Sequence, residues 1–363
     1  MTGKSAKTEK RVDIVLEGGG VKGVALAGAI SVLEEEGYQP QNVAGASAGA
    51  IIATLLAAGY KGSEIGKIIA DQDFSLFMDK GWEDWLTSII SLPFSILRDQ
   101  GIYEGNYFLN RMKELLAAKN IHTFRDLIVP EYADQPKYRY KVQVIASDIT
   151  EKRMFVLPRD ASYLGMDPDD LSVAEAVRMS MSFPIFFEPF RIRHPQTGRE
   201  HLIVDGGLLS NFPVWLFDSD GKPEWPTFGL RLVEDNNKVS LGERLPALSF
   251  AGEALDPLVT YVMDLVSTAL EAHDRLYIES DNFARTIAIP TLGVSTLDFK
   301  LPHEKTEALY ASGREAAGKF LTAWNFKQYV ATFRSGATFS RRQNIVEQMG
   351  KRKSKRKKID EIP

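Results

Sequence analysis

The chain has 363 residues, of which 44% are hydrophobic and 25% are charged, so it can bury a large core. It contains no cysteine, which excludes disulfides and thiolate chemistry and is typical of a reducing compartment. Its five histidines are scattered without metal-ligand spacing, so we expect no metal and no other cofactor.

The net charge of −4 is distributed unevenly along the chain. Residues 351–363 hold seven basic and two acidic side chains, a net charge of +5, so the rest of the chain carries −9. Such a tail cannot pack, and we expect it to be disordered. Two interpretations stay open: attraction to an anionic surface, which is a membrane or a nucleic acid, or a solvated tail that aids solubility.

The N-terminus and the hydropathy pattern bear on location. Residues 1–11 are polar and basic and do not resemble a secretory signal. No stretch approaches the ~18 uninterrupted apolar residues of a membrane span. We therefore expect a cytoplasmic protein, peripheral where it meets a membrane. The sequence does not indicate its oligomeric state.

The first elements are a strand at residues 11–17 and a helix at residues 24–36, with glycines between them. The loop reads Gly18, Gly19, Gly20, Val21, Lys22, Gly23. A dinucleotide site would need an acidic residue at the end of the second strand, which here ends in Ala46 and Ser47. A Walker loop would need Gly-Lys followed by Ser or Thr, whereas Gly23 is followed by Val24. A third interpretation is an oxyanion hole, in which bare glycine amides face developing negative charge.

The second motif is Gly45-Ala46-Ser47-Ala48-Gly49, which follows a short apolar run and precedes the apolar residues 50–58. This pattern predicts a strand, a sharp turn and a helix. The glycines permit a strained turn, with Ser47 at its tip and at the positive end of the helix. An exposed hydroxyl there is a candidate nucleophile, although Gly-x-Ser-x-Gly also occurs in loops without chemistry.

The remaining elements alternate along the chain. Residues 71–98 are crowded with large apolar side chains, and two interpretations stay open: core, or a mobile flap that forms an acyl-binding wall. Strands are predicted at residues 138–148, 154–157, 227–233 and 286–289, and helices at residues 106–118, 172–181, 255–278 and 304–324. Alternating strands and helices indicate one α/β domain with a largely parallel sheet.

A third motif ends an apolar strand at Asp205-Gly206-Gly207. The strand is the second arm of a predicted hairpin that turns at residues 195–198. We expect His194 and His201 to lie on the surface of this hairpin. By itself, Asp-Gly-Gly is more often an ordinary turn than a site.

Together the three motifs resemble those of the patatin-like phospholipase family and occur in that family's order. Lys22 stands where the family usually has arginine, and the charge is kept. The resemblance covers residues 12–233 by motif and, more loosely, the helices to residue 324. It implies a three-layer α/β/α fold with a largely parallel central sheet.

The resemblance also implies a function. It identifies Ser47 and Asp205 as a catalytic dyad that cleaves fatty acyl esters through an acyl-enzyme, as phospholipases A and lysophospholipases do. The loop from Gly18 to Gly23 would form the oxyanion hole. Gly45, Ala46, Ala48 and Gly49 would shape the nucleophile turn, and Gly206 and Gly207 the turn after the aspartate.

The implied partners are a phospholipid or other acyl-lipid substrate and a transiently contacted membrane surface. We do not expect nucleic acid as a partner, although the basic tail leaves that interaction open. Ser180 and Ser182, in a Ser-x-x-x-Pro segment of the kind found in the family, are expected to be structural. The alternatives are a lipase regulated by a ligand or partner, and a catalytically silent lipid-binding protein.

The domain boundaries follow from the same reasoning. We expect a polar N-terminal extension over residues 1–10 and an acyl hydrolase domain over residues 11–326. A C-terminal extension over residues 327–363 ends in the basic tail.

Overall fold

The computed structural model describes residues 10–71, 101–103, 105–219, 221–234, 249–250, 253–254, 280–294 and 301–334. Three predicted features lie outside these residues: the apolar stretch from residue 72 onward, the helix at residues 255–278 and the basic tail. None of the helices in the described part is long and apolar enough to cross a membrane.

The strands are β1 (Lys10–Leu16), β2 (Tyr38–Ala46), β3 (Gly101–Tyr103), β4 (Val142–Asp148), β5 (Arg153–Leu157), β6 (Ile185–Phe187), β7 (Phe190–Arg193), β8 (Glu200–Asp205), β9 (Thr227–Val233), β10 (Ser249–Phe250), β11 (Glu253–Ala254) and β12 (Thr286–Pro290). The helices are α1 (Val24–Glu35), α2 (Ala48–Ala57), α3 (Gly62–Ala70), α4 (Asn106–Ala117), α5 (Val173–Ser180), α6 (Ser280–Ala284), α7 (His303–Ala323) and α8 (Phe326–Phe333). The strands and helices predicted within the described residues all form, whereas seven further elements were not predicted: α3, β3, β6, β10, β11, α6 and α8.

The central sheet has eight strands in the order β12–β9–β1–β2–β4–β8–β7, and β5 pairs with β4. Strands β12, β9, β1, β2 and β4 run parallel, while β5, β7 and β8 pair antiparallel with their neighbours. Every residue of β4 is buried, as expected for a parallel strand covered on both faces. The predicted α/β class with a largely parallel sheet is confirmed.

Alternating side chains of the strands serve two separate cores. On one face, residues such as Ile14 and Leu16 pack in the larger core with helices α1, α2, α3, α5 and α7. On the other, Val15, Ala44 and Ile145 pack against apolar side chains from residues 212–217. The period of two along each strand sends neighbouring residues to opposite faces.

The register of the sheet brings two strand ends together. Strand β5 occupies one edge of β4 along residues 144–148, so β2 and β8 share the other edge. They approach from opposite directions. Ala46 of β2 stands opposite Ile145, and Asp205 of β8 stands opposite the next residue, Ala146. The residue that follows β2 and the last residue of β8 are therefore neighbours.

Helix α8 packs onto the domain at its C-terminal side. The rings of Trp324 and Tyr329 lie 5.3 Å apart, and Tyr329 is buried. Arg334, directly after α8, pairs with the buried Asp218 at 2.7 Å. The domain end at residue 326 stays a prediction, and we propose that the packed unit extends through residue 334.

Candidate active site

Ser47 occupies a strained turn between β2 and α2. Its backbone has φ 52° and ψ −128°, a conformation that costs a non-glycine residue about 1–3 kcal/mol. Gly45 and Gly49 allow the strand to end against the helix, because a Cβ on Gly45 would lie 2.3 Å from the Gly49 carbonyl carbon. The hydroxyl of Ser47 makes no capping bond to α2, so it is not used by the helix.

Ser180 fixes the amide of Ser47. The Ser47 N–H donates to the Ser180 hydroxyl at 2.9 Å, and Ser180 is fully buried at the end of α5. The sequence predicts Ser180 to be structural but gives no sign that it touches the candidate nucleophile. The only signal is that α5 breaks there, ahead of Pro184.

Asp205 is buried, with 1% of its surface exposed. Its Oδ1 accepts a hydrogen bond from the Gly207 amide at 2.8 Å, while its buried Oδ2 has no partner of ordinary hydrogen-bond geometry in the described part of the chain. Burial raises the pKa of Asp205 to about 7, and interactions with the Ser47 side chain and the Gly207 amide partly oppose this rise. The register of β2 and β8 on β4 places the Ser47 turn beside this carboxylate.

The glycine loop contacts Ser47 directly. Gly18 and Asn211 are joined by two hydrogen bonds of 3.2 Å, from the Gly18 amide to the Asn211 carbonyl and from Asn211 Nδ2 to the Gly18 carbonyl. A Cβ on Gly18 would lie 2.1 Å from Asn211 Oδ1 and 3.0 Å from Ser47 Cβ. Only a residue without a side chain fits between them.

Three amides of this loop can donate to a ligand. Gly20–Gly23 form one 3-10 turn before α1, and Gly20 has φ 55°. The Lys22 amide donates to the Gly19 carbonyl, and the Gly18 amide is taken by Asn211. Among the described residues, no acceptor is found for the amides of Gly19, Gly20 and Val21. Val21, Lys22 and Gly23 are buried parts of the same turn.

Gly206 lets the chain cross β4 immediately after Asp205. A Cβ on Gly206 would lie 2.1 Å from the Ile145 carbonyl oxygen. The Ser147 hydroxyl donates to the Gly206 carbonyl at 3.3 Å and holds the crossing in place. The sequence-predicted residues Ser47, Asp205 and the glycine loop therefore lie in one place.

The expectation of a surface role is wrong for His201. This residue is 4% exposed, and its Nδ1 lies 2.7 Å from Asp148 Oδ2. It points inward because residues 201, 203 and 205 share one face of β8. Asp205 lies four positions further along β8, roughly 13 Å away, so His201 is not part of the site.

Comparison with known proteins adds four similarities. The sequence model described as Patatin-like phospholipase matches residues 14–218. Uncharacterized protein YqhO of Bacillus subtilis is 37% identical over 315 residues, 87% of this chain and 99% of that protein. Patatin-like phospholipase domain-containing protein 7 of Mus musculus is 25% identical over 317 residues, 85% of this chain and 20% of that protein. The crystal structure of VipD from Legionella pneumophila superposes with a TM-score of 0.49 at 18% identity, covering 88% of this chain and 68% of VipD.

Proposed function

Because the chain belongs to the patatin-like phospholipase family, we propose that it hydrolyses fatty acyl esters of lipids, with Ser47 as nucleophile and Asp205 as general base. The supporting observation is the pair itself. The Ser47 hydroxyl makes no capping bond to α2 and lies on a strained turn, and beside it is the buried carboxylate of Asp205, whose pKa is raised to about 7. A base works best when its pKa lies near the working pH, and an ordinary aspartate is far too acidic for that.

The first half-reaction forms an acyl-enzyme. The Ser47 oxygen attacks the ester carbonyl carbon while its proton passes to Asp205. The resulting tetrahedral oxyanion accepts hydrogen bonds from the amides of Gly19 and Gly20. One donor of this kind is worth about 3–4 kcal/mol in serine hydrolases. The C–O bond to the alcohol then breaks, and the proton held by Asp205 passes to the leaving alcohol.

The second half-reaction restores the enzyme. A water molecule gives its proton to Asp205 and attacks the acyl carbon of the Ser47 ester. The same glycine amides stabilise the second oxyanion. The bond to the Ser47 oxygen breaks, the serine recovers its proton from Asp205, and a fatty acid leaves. No step needs a third side chain, because the carboxylate takes and returns each proton.

The substrate class follows from the family. Phospholipids and lysophospholipids are the proposed substrates, so the chain acts as a phospholipase A or lysophospholipase. We propose that it reaches them by transient contact with a membrane surface through the basic residues 351–358. Clustered Lys and Arg contribute about 1 kcal/mol each at an anionic surface. A variant truncated after residue 350 should lose salt-sensitive sedimentation with anionic vesicles and keep its activity on soluble esters.

Two measurements test the dyad. Release of fatty acid from phosphatidylcholine, from its lyso form and from a soluble aryl ester should disappear in Ser47→Ala. It should fall by ~100-fold or more in Asp205→Asn, which removes the base. A fluorophosphonate probe should label the wild type at Ser47. An exposed serine outside the site provides the control, so Ser162→Ala should behave as wild type.

The outcomes separate the alternatives. Equal ester hydrolysis by wild type and Ser47→Ala would reject the proposal. A folded wild type that neither hydrolyses esters nor reacts with the probe would indicate a lipid-binding protein instead. The same assays with added cell extract test for a ligand-activated lipase, because activity that needs the extract would show an activator.

A further inference from the structure

An apolar groove runs between α2, α3 and α4. The space between these helices measures about 500 Å³ when its open, solvent-filled side is included. Each helix contributes one side: Ile51 and Leu55 from α2, Ile69 from α3, Met112 and Leu115 from α4. The catalytic steps proposed for Ser47, Asp205 and the glycine amides do not involve this groove.

The groove begins at the candidate active site. Gly20 and Gly23 of the glycine loop and Ala48, the residue after Ser47, form part of its lining. The Gly20 amide also has no acceptor among the described residues. An acyl group whose carbonyl oxygen lies at this amide would have its chain directed into the groove.

The chemistry of the lining fits a hydrocarbon chain. Among the described lining residues, Arg111 is the one that carries a charge; its guanidinium pairs with Glu114 at 3.1 Å, and 39% of its side chain is exposed. Its aliphatic stem can line the groove while its charge faces solvent. In the described part of the lining, no charged side chain is therefore placed to receive a head group. Each buried methylene of a bound chain would tighten binding about fourfold.

The groove has a defined far end. From Ala48 to Leu55 the axis of α2 advances roughly 10 Å at 1.5 Å per residue. Beyond Leu55, the hydroxyl of Tyr60 donates to the Leu115 carbonyl at 2.8 Å and ties the end of α2 to α4. This length along α2 is about that of an octanoyl chain.

We propose that this groove binds the acyl chain of the ester that Ser47 attacks, and that Leu115 at its far end sets the preferred chain length. The assignment rests on the proposed function. It places the acyl-binding wall on α2, α3 and α4, within the described residues.

Chain-length profiles test the assignment. Nitrophenyl esters from acetate to palmitate are compared in wild type, Leu115→Trp and Ile51→Trp. Leu115→Trp should keep kcat/KM for acetate and lose about tenfold for octanoate and longer esters, because displacing ~2 buried methylenes costs that much. Ile51 lies one turn from Ser47, so Ile51→Trp should lower kcat/KM already for esters with shorter acyl chains than those affected by Leu115→Trp. Leu109→Trp on α4, partly buried outside the groove, is the control and should keep the wild-type profile.

A binding assay separates this proposal from the proposed function. In a Ser47→Ala background, a fluorescent long-chain fatty acid should bind, and Leu115→Trp should weaken its binding about tenfold, while Leu109→Trp should not. If Leu115→Trp weakens fatty acid binding but the wild type hydrolyses no ester, the groove assignment is supported and the proposed enzymatic function is rejected. Folded groove variants with wild-type profiles and wild-type fatty acid affinity would overturn the assignment. Ile69→Trp replaces Leu115→Trp if the latter does not fold by circular dichroism.

Discussion

The backbone amide of Ser47 donates a hydrogen bond of 2.9 Å to the hydroxyl of Ser180, at the end of α5. Two residues further on, the Ser182 carbonyl accepts a bond of 2.9 Å from the amide of Asp205. One short segment therefore holds the backbones of both proposed catalytic residues. It fixes their separation although they come from different strands.

Ser180→Ala should impair catalysis more than it impairs stability. The substitution leaves the Ser47 amide without its acceptor and frees the strained turn, so we expect about tenfold lower kcat and a loss of ~1 kcal/mol in the free energy of unfolding. Ester hydrolysis and urea denaturation measure the two effects. Ser172→Ala, at the N-cap of the same helix, should cost about the same stability and leave kcat unchanged. Similar kcat losses in both variants would contradict a positioning role.

The pH dependence of hydrolysis should report the ionisation of Asp205. Only the carboxylate form can take a proton from Ser47, and burial raises the pKa of this group to about 7. We expect kcat/KM for a soluble ester to rise about tenfold per pH unit below this value and to level off above it. A flat profile down to about pH 5 would show an ordinary carboxylate and exclude this base.

The same pKa predicts a pH-dependent stability. Its folded-state value lies above the ordinary value of 3.8, so the native protein binds this proton more tightly than the unfolded chain does. The contribution is complete below the ordinary value and is lost as pH rises to about 7. Asp205→Asn has no carboxyl group at this position, so it does not lose this stability as pH rises. Its free energy of unfolding should therefore increase relative to that of the wild type with rising pH, by at most ~4 kcal/mol above neutrality.

Asp13 is the matched control for both pH experiments. Burial likewise raises its pKa to about 7, and its Oδ1 accepts from the Asn42 amide at 3.1 Å, away from Ser47. Asp13→Asn should change the pH dependence of unfolding in the same direction as Asp205→Asn. It should leave the pH profile of kcat/KM as in wild type. An altered activity profile in Asp13→Asn would show that Asp205 is not the group that controls it.

Gly206→Ala should destabilise the fold strongly. Its added Cβ would lie 2.1 Å from the Ile145 carbonyl oxygen, a backbone atom that cannot rotate away. We expect a loss of about 2–4 kcal/mol, as for severe overpacking. Gly318→Ala in α7 meets nothing within 4 Å and should stabilise by ~0.5–1 kcal/mol through helix propensity. Urea denaturation of both variants measures the contrast, and equal effects would refute the close crossing.

Arg334→Met tests whether the packed unit extends beyond residue 326. The Asp218 carboxylate binds both Arg334 and the buried Arg285. Loss of Arg334 leaves the carboxylate paired with Arg285, so we expect a cost of about 1–3 kcal/mol rather than complete unfolding. Lys327→Met, an exposed position on the same helix, should change the unfolding free energy by less than ~0.5 kcal/mol. A neutral Arg334→Met would show that α8 does not belong to the folded unit.

The sequence by itself determined the local elements. The glycines on either side of Ser47 and the apolar helix after it specify a strand, turn and helix, because only a few backbone conformations satisfy that pattern. The glycine loop at residues 18–23 likewise predicts the start of a helix, where backbone amides can face an anion. Asp205 was identified by resemblance to a family, since Asp-Gly-Gly is an ordinary turn in most contexts.

Only the tertiary structure decided how these pieces meet. Strand order and register depend on contacts between distant segments, so no local pattern shows that β2 and β8 share one edge of β4. Burial is collective for the same reason: it raises the pKa of Asp205, draws His201 inside and gives Ser180 its contact with Ser47. Residue types fix which chemistry is available, and the packing of the whole sheet fixes where that chemistry can act.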